Sequence, residues 1–279
     1  MRRRRISEME LLIHLIVKVK KDDIFALASQ LAYYLMLSFF PFLMFLFTLI
    51  GFMHLDGNAV LEVLSTVLPT SVFELTETIV LEVVRSQNTG LLGASVLLAI
   101  WTASSGFRAV IKGVNKAYEL NEQRSYINRA IMAFFSIIAL AATILLSLSL
   151  LVFGDVISDN LIAYLPFPDI VRTVWNILRY VVIIFVFILI SATIYRYSPA
   201  EKVKWRYVFP GAIFSTIGWL IVSIGFSFYI NNYSNYSRFY GSLAAVFILM
   251  IWLFLMSIIF MLGVEINSVV QISKDKAKK

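Results

Sequence analysis

Six runs of mostly apolar residues divide the chain, at 24–53, 91–111, 130–153, 174–195, 208–230 and 242–266. A helix needs about 20 such residues to cross a hydrocarbon core of about 30 Å, and each run meets that length. The polar residues between the runs are unevenly dealt. The segment before the first run holds Arg2, Arg3, Arg4, Arg5, Lys18, Lys20 and Lys21; the second connection holds Arg108, Lys112, Lys116, Arg124 and Arg129. The fourth holds Arg196, Lys202, Lys204 and Arg206, and the C-terminal tail Lys274, Lys276, Lys278 and Lys279. The remaining connections carry only Arg85, then Arg172 with Arg179, then Arg238. Basic residues mark cytoplasmic loops, so the alternation predicts six spans with both termini in the cytoplasm. The expected architecture is an all-α polytopic membrane protein. It comprises a basic amphipathic cytoplasmic arm (1–23), a six-helix membrane domain (24–266) and a cytoplasmic tail (267–279).

Finer periodicity fills in the connections. In 6–21, Leu11, Leu12, Leu15, Ile16 and Val19 recur at helical spacing with Lys18, Lys20 and Lys21 beside them. That pattern suits a helix lying along the membrane surface. The segment 54–90 is too long for an unstructured loop. Two amphipathic stretches flank Pro69-Thr70-Ser71, with Val60, Leu64, Val67 and Leu68 on one and Val72, Leu75, Ile79 and Val83 on the other. They predict a helical hairpin on the outer surface. In 208–230, Gly211, Ser215, Gly218 and Gly225 form a smooth face for close helix approach.

Composition narrows the class without changing it. The chain is 60% hydrophobic and 15% charged, against about 25% charged in soluble domains. The net charge of +7 is a topological signal suited to anionic lipid headgroups rather than to nucleic acid. There is no cysteine, so neither a disulfide framework nor a thiolate metal site is available. The first apolar run is long, lies behind a polar arm and lacks a small-residue cleavage site, unlike a removable signal peptide.

Polar residues at membrane depth are candidate functional groups. In the second run, Trp101, Ser104, Ser105, Arg108, Lys112, Asn115 and Glu119 fall on one stripe about 100° wide at 3.6 residues per turn. A helix continuing to Glu119 would be about 45 Å long and would project into the cytoplasm. The first run carries a matching stripe of Gln30, Tyr33, Tyr34 and Thr48, with Pro41 placed to kink the helix mid-membrane. Glu265 ends the last run, where the helix dipole disfavours a carboxylate, so it needs a cationic partner. Arg108 and Lys112 are the candidates. Two readings follow: Arg108 and Glu265 form a structural ion pair, or the Arg108/Lys112 stripe binds an anionic substrate or lipid phosphate. Residues such as Gln30, Tyr33 and Tyr34 are more often helix–helix hydrogen-bonding groups than ligands. The candidate substrate-binding set is Gln30, Tyr33, Tyr34, Trp101, Arg108, Lys112, Asn115 and Glu265.

Several of these motifs resemble a known family. Ala28-Ser29-Gln30-Leu31-Ala32-Tyr33-Tyr34 with Ser38-Phe39-Phe40-Pro41 is similar to the opening signature of the YihY/BrkB family of bacterial inner-membrane proteins. Trp101, Ser104, Arg108, Asn115, Ala117 and Tyr118 match as well. So does the closing Tyr240-Gly241-Ser242, Trp252 and Leu262-Gly263-Val264-Glu265-Ile266-Asn267. The resemblance covers essentially the whole chain. It implies six spans, both ends cytoplasmic, in the bacterial inner membrane, and no settled activity. Members have carried the label ribonuclease BN, and others are linked to serum resistance, lipid or lipopolysaccharide export, or cation/proton exchange.

The residues weigh these roles unequally. RNA hydrolysis needs a general acid/base pair or a metal-binding cluster. The two histidines, His14 and His54, stand apart, and Asp22-Asp23 more simply caps the first span. No enzyme, cofactor or metal is expected. An exchanger keeps a carboxylate near the midplane, and here no Asp or Glu lies deep in a run. A transporter or flippase of an anionic lipid or amphiphile needs a cationic headgroup site and a lipid-open groove, which the Arg108/Lys112 stripe and the kinked first span can supply. A non-transport scaffold or accessory membrane protein, or a cation/proton exchanger, is the alternative. Membrane lipids, anionic ones above all, are the expected partners; oligomeric state is left open.

Overall fold

The computed structural model describes residues 8–52, 89–152, 168–233 and 243–276, with isolated positions between 58 and 77. Most of the predicted outer hairpin, and Tyr240, lie outside the described residues. Seven helices are described: α1 (Glu8–Lys21), α2 (Ile24–Phe52), α3 (Thr89–Ala117), α4 (Tyr126–Val152), α5 (Pro168–Tyr197), α6 (Trp205–Tyr233) and α7 (Ala244–Lys276). Among the described residues all regular structure is helical. Four segments are long and apolar enough to cross a membrane: Tyr126–Ser147, Arg172–Tyr197, Trp205–Asn232 and Ala244–Lys274. In α2 the apolar segment of this kind is the shorter Ile24–Phe39. The helix runs on through Pro41 without a break. α7 continues past 266, so the first residues of the expected tail are helical, with Asn267, Ser268 and Val269 buried.

An outward apolar surface and an inward one of small and hydroxylated residues organise the bundle. Ile170, Val174, Ile177, Val181 and Phe185 on α5 are exposed. In water such a surface would be an aggregation liability, and in lipid it is the solvent-facing side. Inside, α2 packs on α3 and α7, and α6 packs on α5 and α7. Without a hydrophobic drive between helices in lipid, close approach and interhelical hydrogen bonds hold them together. The α6–α7 crossing shows both. A Cβ at Gly211 would overlap the Gly263 carbonyl oxygen, and one at Gly218 would sit 2.8 Å from Ile259. The Tyr195 hydroxyl meets Ser215 Oγ at 2.7 Å and donates to the Phe260 carbonyl at 2.8 Å, while the Gly211 amide donates to Asn267 Oδ1 at 2.7 Å. The small-residue face of α6 thus serves at Gly211, Ser215 and Gly218. Gly225 lies off it, with nothing within 4 Å of an added Cβ.

Two left-handed residues set the ends that frame the site. α3 closes in a Schellman motif: Leu120 N–H donates to Asn115 O at 2.8 Å and Glu119 N–H to Lys116 O at 3.1 Å. Glu119 takes the left-handed position at φ 56°, a cost of about 1–2 kcal/mol for a side-chain-bearing residue. Its carboxylate meets Lys21 Nζ at 2.7 Å. Between α1 and α2 the turn residue is Asp23, at φ 54°, a conformation aspartate tolerates well. The Asp23 carbonyl accepts the Leu27 amide at 3.2 Å, whereas the Asp22 carboxylate turns back to Lys18 at 3.1 Å instead of capping α2.

Helix α1 departs from a simple surface helix. Met9, Leu12, Ile13, Ile16 and Val17 form its exposed apolar face. Its other side docks on the bundle, with Lys18 buried and Val19 packed beside Ile24 and Met261. The helix therefore presents one apolar face outward and inserts a cation inward.

Candidate functional site

The polar stripes of α2 and α3 face each other across a cavity of about 760 Å³. Its wall includes Gln30 and Tyr34 from α2, and Ser105, Arg108, Lys112, Asn115 and Lys116 from α3. Lys21 and Asp22 close one side, and Glu119, Glu122 and Arg129 the other. Helical periodicity places the α3 residues on one face, and the Schellman turn swings Glu119 and Glu122 over the end of the same face. Each carboxylate on the wall is already matched. Asp22 pairs with Lys18 at 3.1 Å, Glu119 with Lys21 at 2.7 Å and Glu122 with Arg124 at 2.6 Å. Arg108, Lys112, Lys116 and Arg129 have no carboxylate in ion-pair contact among the described residues. The cavity thus carries an excess of positive charge.

Arg108 and Lys112 spend their hydrogen bonds on neutral groups. Arg108 Nη2 donates to Ser105 Oγ at 2.6 Å and Nη1 to the Tyr126 hydroxyl at 3.2 Å. The guanidinium carbon lies 5.4 Å from the Tyr126 ring centre, a cation–π distance that fixes its plane. Lys112 Nζ donates to Gln30 Oε1 at 3.2 Å. Arg129 Nε is buried without an acceptor. A planar guanidinium held by neutral partners, beside two ammonium groups and an unused Nε–H, is competent to receive a carboxylate or phosphate.

The structure corrects the expected partner of Glu265. The carboxylate is fully buried and meets Lys18 Nζ of α1 at 3.4 Å, rather than Arg108 or Lys112. Lys18 also donates to the Ala117 carbonyl at the end of α3, which Ser268 Oγ reaches at 2.6 Å. One cation therefore ties α1, α3 and α7 together and faces two buried carboxylates, Asp22 and Glu265. Glu265 does not line the cavity with Gln30, Tyr34 and Arg108, so the expected Arg108–Glu265 pair is not formed and the candidate set loses its carboxylate from this site. Sequence could show that Glu265 needed a cation. It could not show which of the chain's cations would arrive, because Lys18 reads as one more charge flanking an amphipathic arm.

Other candidates separate in the same way. Tyr33 is 60% exposed and Trp101 is 70% exposed, and neither lines the cavity. The stripe that includes Trp101 continues beyond the part of α3 that the α2 polar face covers. Asn115 is buried and works as a clamp: Nδ2 donates to Glu122 Oε2 at 2.8 Å and Oδ1 accepts the Ala200 amide at 2.7 Å. Arg124 extends that clamp, bonding Glu122 through two nitrogens at 2.8 and 2.6 Å and the Ser198 carbonyl at 2.6 Å. The Arg124 hydrogen bonds hold the Glu122 carboxyl well below its usual range, down to about 2. This network joins the α3–α4 and α5–α6 connections. Sequence offered no signal for it, because it reaches the α5–α6 connection through backbone groups, the Ala200 amide and the Ser198 carbonyl.

Among the described residues no group of three or more His, Asp or Glu could hold a metal ion. His14 is exposed on α1 and its Nδ1 donates to Glu10 O at 2.7 Å; His54 lies outside the described residues.

The helical bundle, the lipid-suited outer surface and the buried polar groups define a membrane-embedded all-α protein. The model of the virulence factor BrkB family matches residues 15–279, and the chain belongs to that family. A ribonuclease-like protein of Bacillus subtilis, YfkH, is 39% identical over 241 residues, covering 86% of this chain and 88% of its own. A UPF0761 membrane protein of Alteromonas mediterranea is 30% identical over 90% of this chain and 84% of its own. Another, from Pseudoalteromonas atlantica, is 23% identical over 91% and 83%. No solved structure matches the chain.

Proposed function

We propose that this protein binds an anionic lipid or related amphiphile by its headgroup and moves it between leaflets, acting as a six-span inner-membrane protein with both termini in the cytoplasm. The observation that carries this reading is the cavity wall. Its three carboxylates are paired with Lys18, Lys21 and Arg124, while Arg108 and Lys112 bond only neutral groups. The competing reading pairs Arg108 with Glu265, and Lys18 takes that carboxylate instead. With the positive-inside orientation the cavity opens toward the cytoplasm, where anionic headgroups are abundant.

Binding is tested by native mass spectrometry of the purified protein with phosphatidylglycerol and with phosphatidylcholine. Wild type should retain the anionic lipid preferentially. Arg108→Lys keeps the charge and loses the bidentate fork, so retention should fall partly, and Arg108→Ala should lower it by about ten-fold or more, as for a charge-assisted bond of about 1.5–3 kcal/mol. Equal retention of the two lipids by wild type would remove the headgroup site. Orientation is tested by single cysteines, which are unique thiols in a chain that has none. In intact cells Ser71→Cys should react with an impermeant maleimide and Asn121→Cys should not; the reverse pattern inverts the topology.

A second reading, cation or proton exchange, draws on one observation: among the described residues Lys18 is the one cation in ion-pair contact with the two buried carboxylates Asp22 and Glu265. A pH gradient imposed on reconstituted vesicles separates it from the first, because an exchanger dissipates the gradient without any lipid substrate.

A further inference from the structure

The structure contains a second, chemically opposite chamber inside the bundle. It measures about 390 Å³, a volume typical of small-molecule pockets, about 300–1,000 Å³. Leu31, Leu35 and Phe39 of α2 and Leu253, Met256 and Phe260 of α7 line it on one side, with Trp219 stacked on Phe187 at 5.2 Å across from them. It shares no residue with the polar cavity. The contact between α2 and α3 divides the two: Ser105, Arg108 and Lys112 face one side of α3, and Gly106, Phe107 and Val110 face the other.

Two features say what the chamber takes. Each of α2, α3, α6 and α7 closes its part of the wall with at least one buried residue, such as Leu31, Gly106, Thr216 and Ser257, whereas α4 and α5 contribute none: Ser136, Ser191 and Ile194 are half-buried and Leu140 is exposed. The chamber thus opens sideways between α4 and α5, toward the lipid-facing surface. Its hydroxyls are unequal as well. Ser38, Ser215 and Ser257 donate to the backbone carbonyls of Tyr34, Ile259 and Leu253. Thr216 Oγ1 is buried on the wall without a partner. An unsatisfied buried hydroxyl is costly, and an acceptor arriving with a ligand satisfies it.

We propose that this chamber binds one hydrocarbon chain, entering laterally from the bilayer between α4 and α5, whose ester or amide carbonyl accepts a hydrogen bond from Thr216. The proposal rests on the amphiphile reading above and narrows it to acylated amphiphiles. The chain site lies on the opposite side of the α2–α3 contact from the headgroup site, so a single molecule occupies the two in turn or parts that contact.

Photo-crosslinking tests it, with three diazirine probes incorporated into vesicles of phosphatidylcholine holding the full-length protein. The probes are an acyl-diazirine phosphatidylglycerol, the methyl ester of the same fatty acid, and a diazirine alkane. Labelled residues are read by peptide mass spectrometry. All three should label chamber residues such as Leu140, Phe187 and Phe260. Ser191→Phe, which fills the half-open portal without burying a new polar group, should bring chamber labelling to background. Thr216→Val, nearly isosteric, should lower labelling by both esters about five-fold, the size of one net hydrogen bond, and leave the alkane unchanged. Labels confined to outward residues such as Ile170, Val174 and Ile177, or chamber labelling unaffected by Ser191→Phe, overturn the chain site. Equal effects of Thr216→Val on esters and alkane overturn the carbonyl assignment. Arg108→Ala distinguishes this failure from that of the headgroup reading, since it should reduce labelling by phosphatidylglycerol and not by the uncharged methyl ester.

Discussion

Lys18→Met should destabilise the protein by about 3–5 kcal/mol, the cost of leaving a buried charge without its partner. The substitution keeps the length and packing of the side chain and removes the one cation that meets both Asp22 and Glu265. It also removes the donor to the Ala117 carbonyl at the end of α3. The thermal midpoint in detergent, followed by fluorescence-detected size exclusion, should fall sharply. Adding Glu265→Gln removes one of the stranded charges, so Lys18→Met with Glu265→Gln should recover part of the loss. A single variant as stable as wild type would mean that α1 does not hold the bundle through Lys18. By contrast, Lys21→Met should change stability little, because the Lys21–Glu119 pair is more than half exposed, at 63% and 57%, and such pairs contribute about 0–1 kcal/mol.

The second large effect belongs to the α6–α7 crossing. Gly211→Ala should cost at least the about 1–3 kcal/mol of an overpacked core, because its methyl group would collide with the Gly263 carbonyl, a backbone atom that cannot rotate away. Separation of the helices would also stretch the Gly211–Asn267 and Tyr195–Ser215 hydrogen bonds. Gly225→Ala supplies the contrast. Nothing lies within 4 Å of its added methyl, and alanine is favoured over glycine in a helix by about 1 kcal/mol. Gly225→Ala should therefore be neutral or stabilising by thermal midpoint while Gly211→Ala is clearly lower. Equal midpoints for the two would show that the crossing tolerates separation.

Period and length carried most of the architecture. Apolar runs placed every described long helix, while α5 begins six residues before its run and α7 ends ten residues after its own; in lipid a helix must satisfy its own backbone, so the hydrophobic stretch specifies the span and not the ends. The polar stripe of α3 was legible for the same reason: one face of a regular helix is a property of one segment. Pairings between segments were not. Glu265 sits at a membrane depth and helix end that demand a cation, yet Lys18, Arg108 and Lys112 satisfy that demand equally on paper. Only the docking of α1 against α7 decides among them. Asn115 read as a member of the stripe and serves as a clamp on the Ala200 amide, a backbone donor that no side-chain pattern announces. Trp101 and Tyr33 share the right helical faces and lie outside the cavity, because a stripe gives direction around a helix and not what covers it along its length.

Movement of a labelled anionic lipid between leaflets tests the central claim most directly. Vesicles carrying fluorescent phosphatidylglycerol, with wild-type protein, Arg108→Ala or no protein, are treated with a membrane-impermeant quencher, and the protected fraction is followed over time. Wild type should expose the inner-leaflet lipid to the quencher well above protein-free vesicles. Arg108→Ala should slow that exposure about ten-fold while keeping the wild-type thermal midpoint, the loss of one charge-assisted contact of about 1.4 kcal/mol. Wild-type vesicles indistinguishable from protein-free ones would contradict translocation, and Arg108→Ala vesicles as fast as wild type would take Arg108 out of the path.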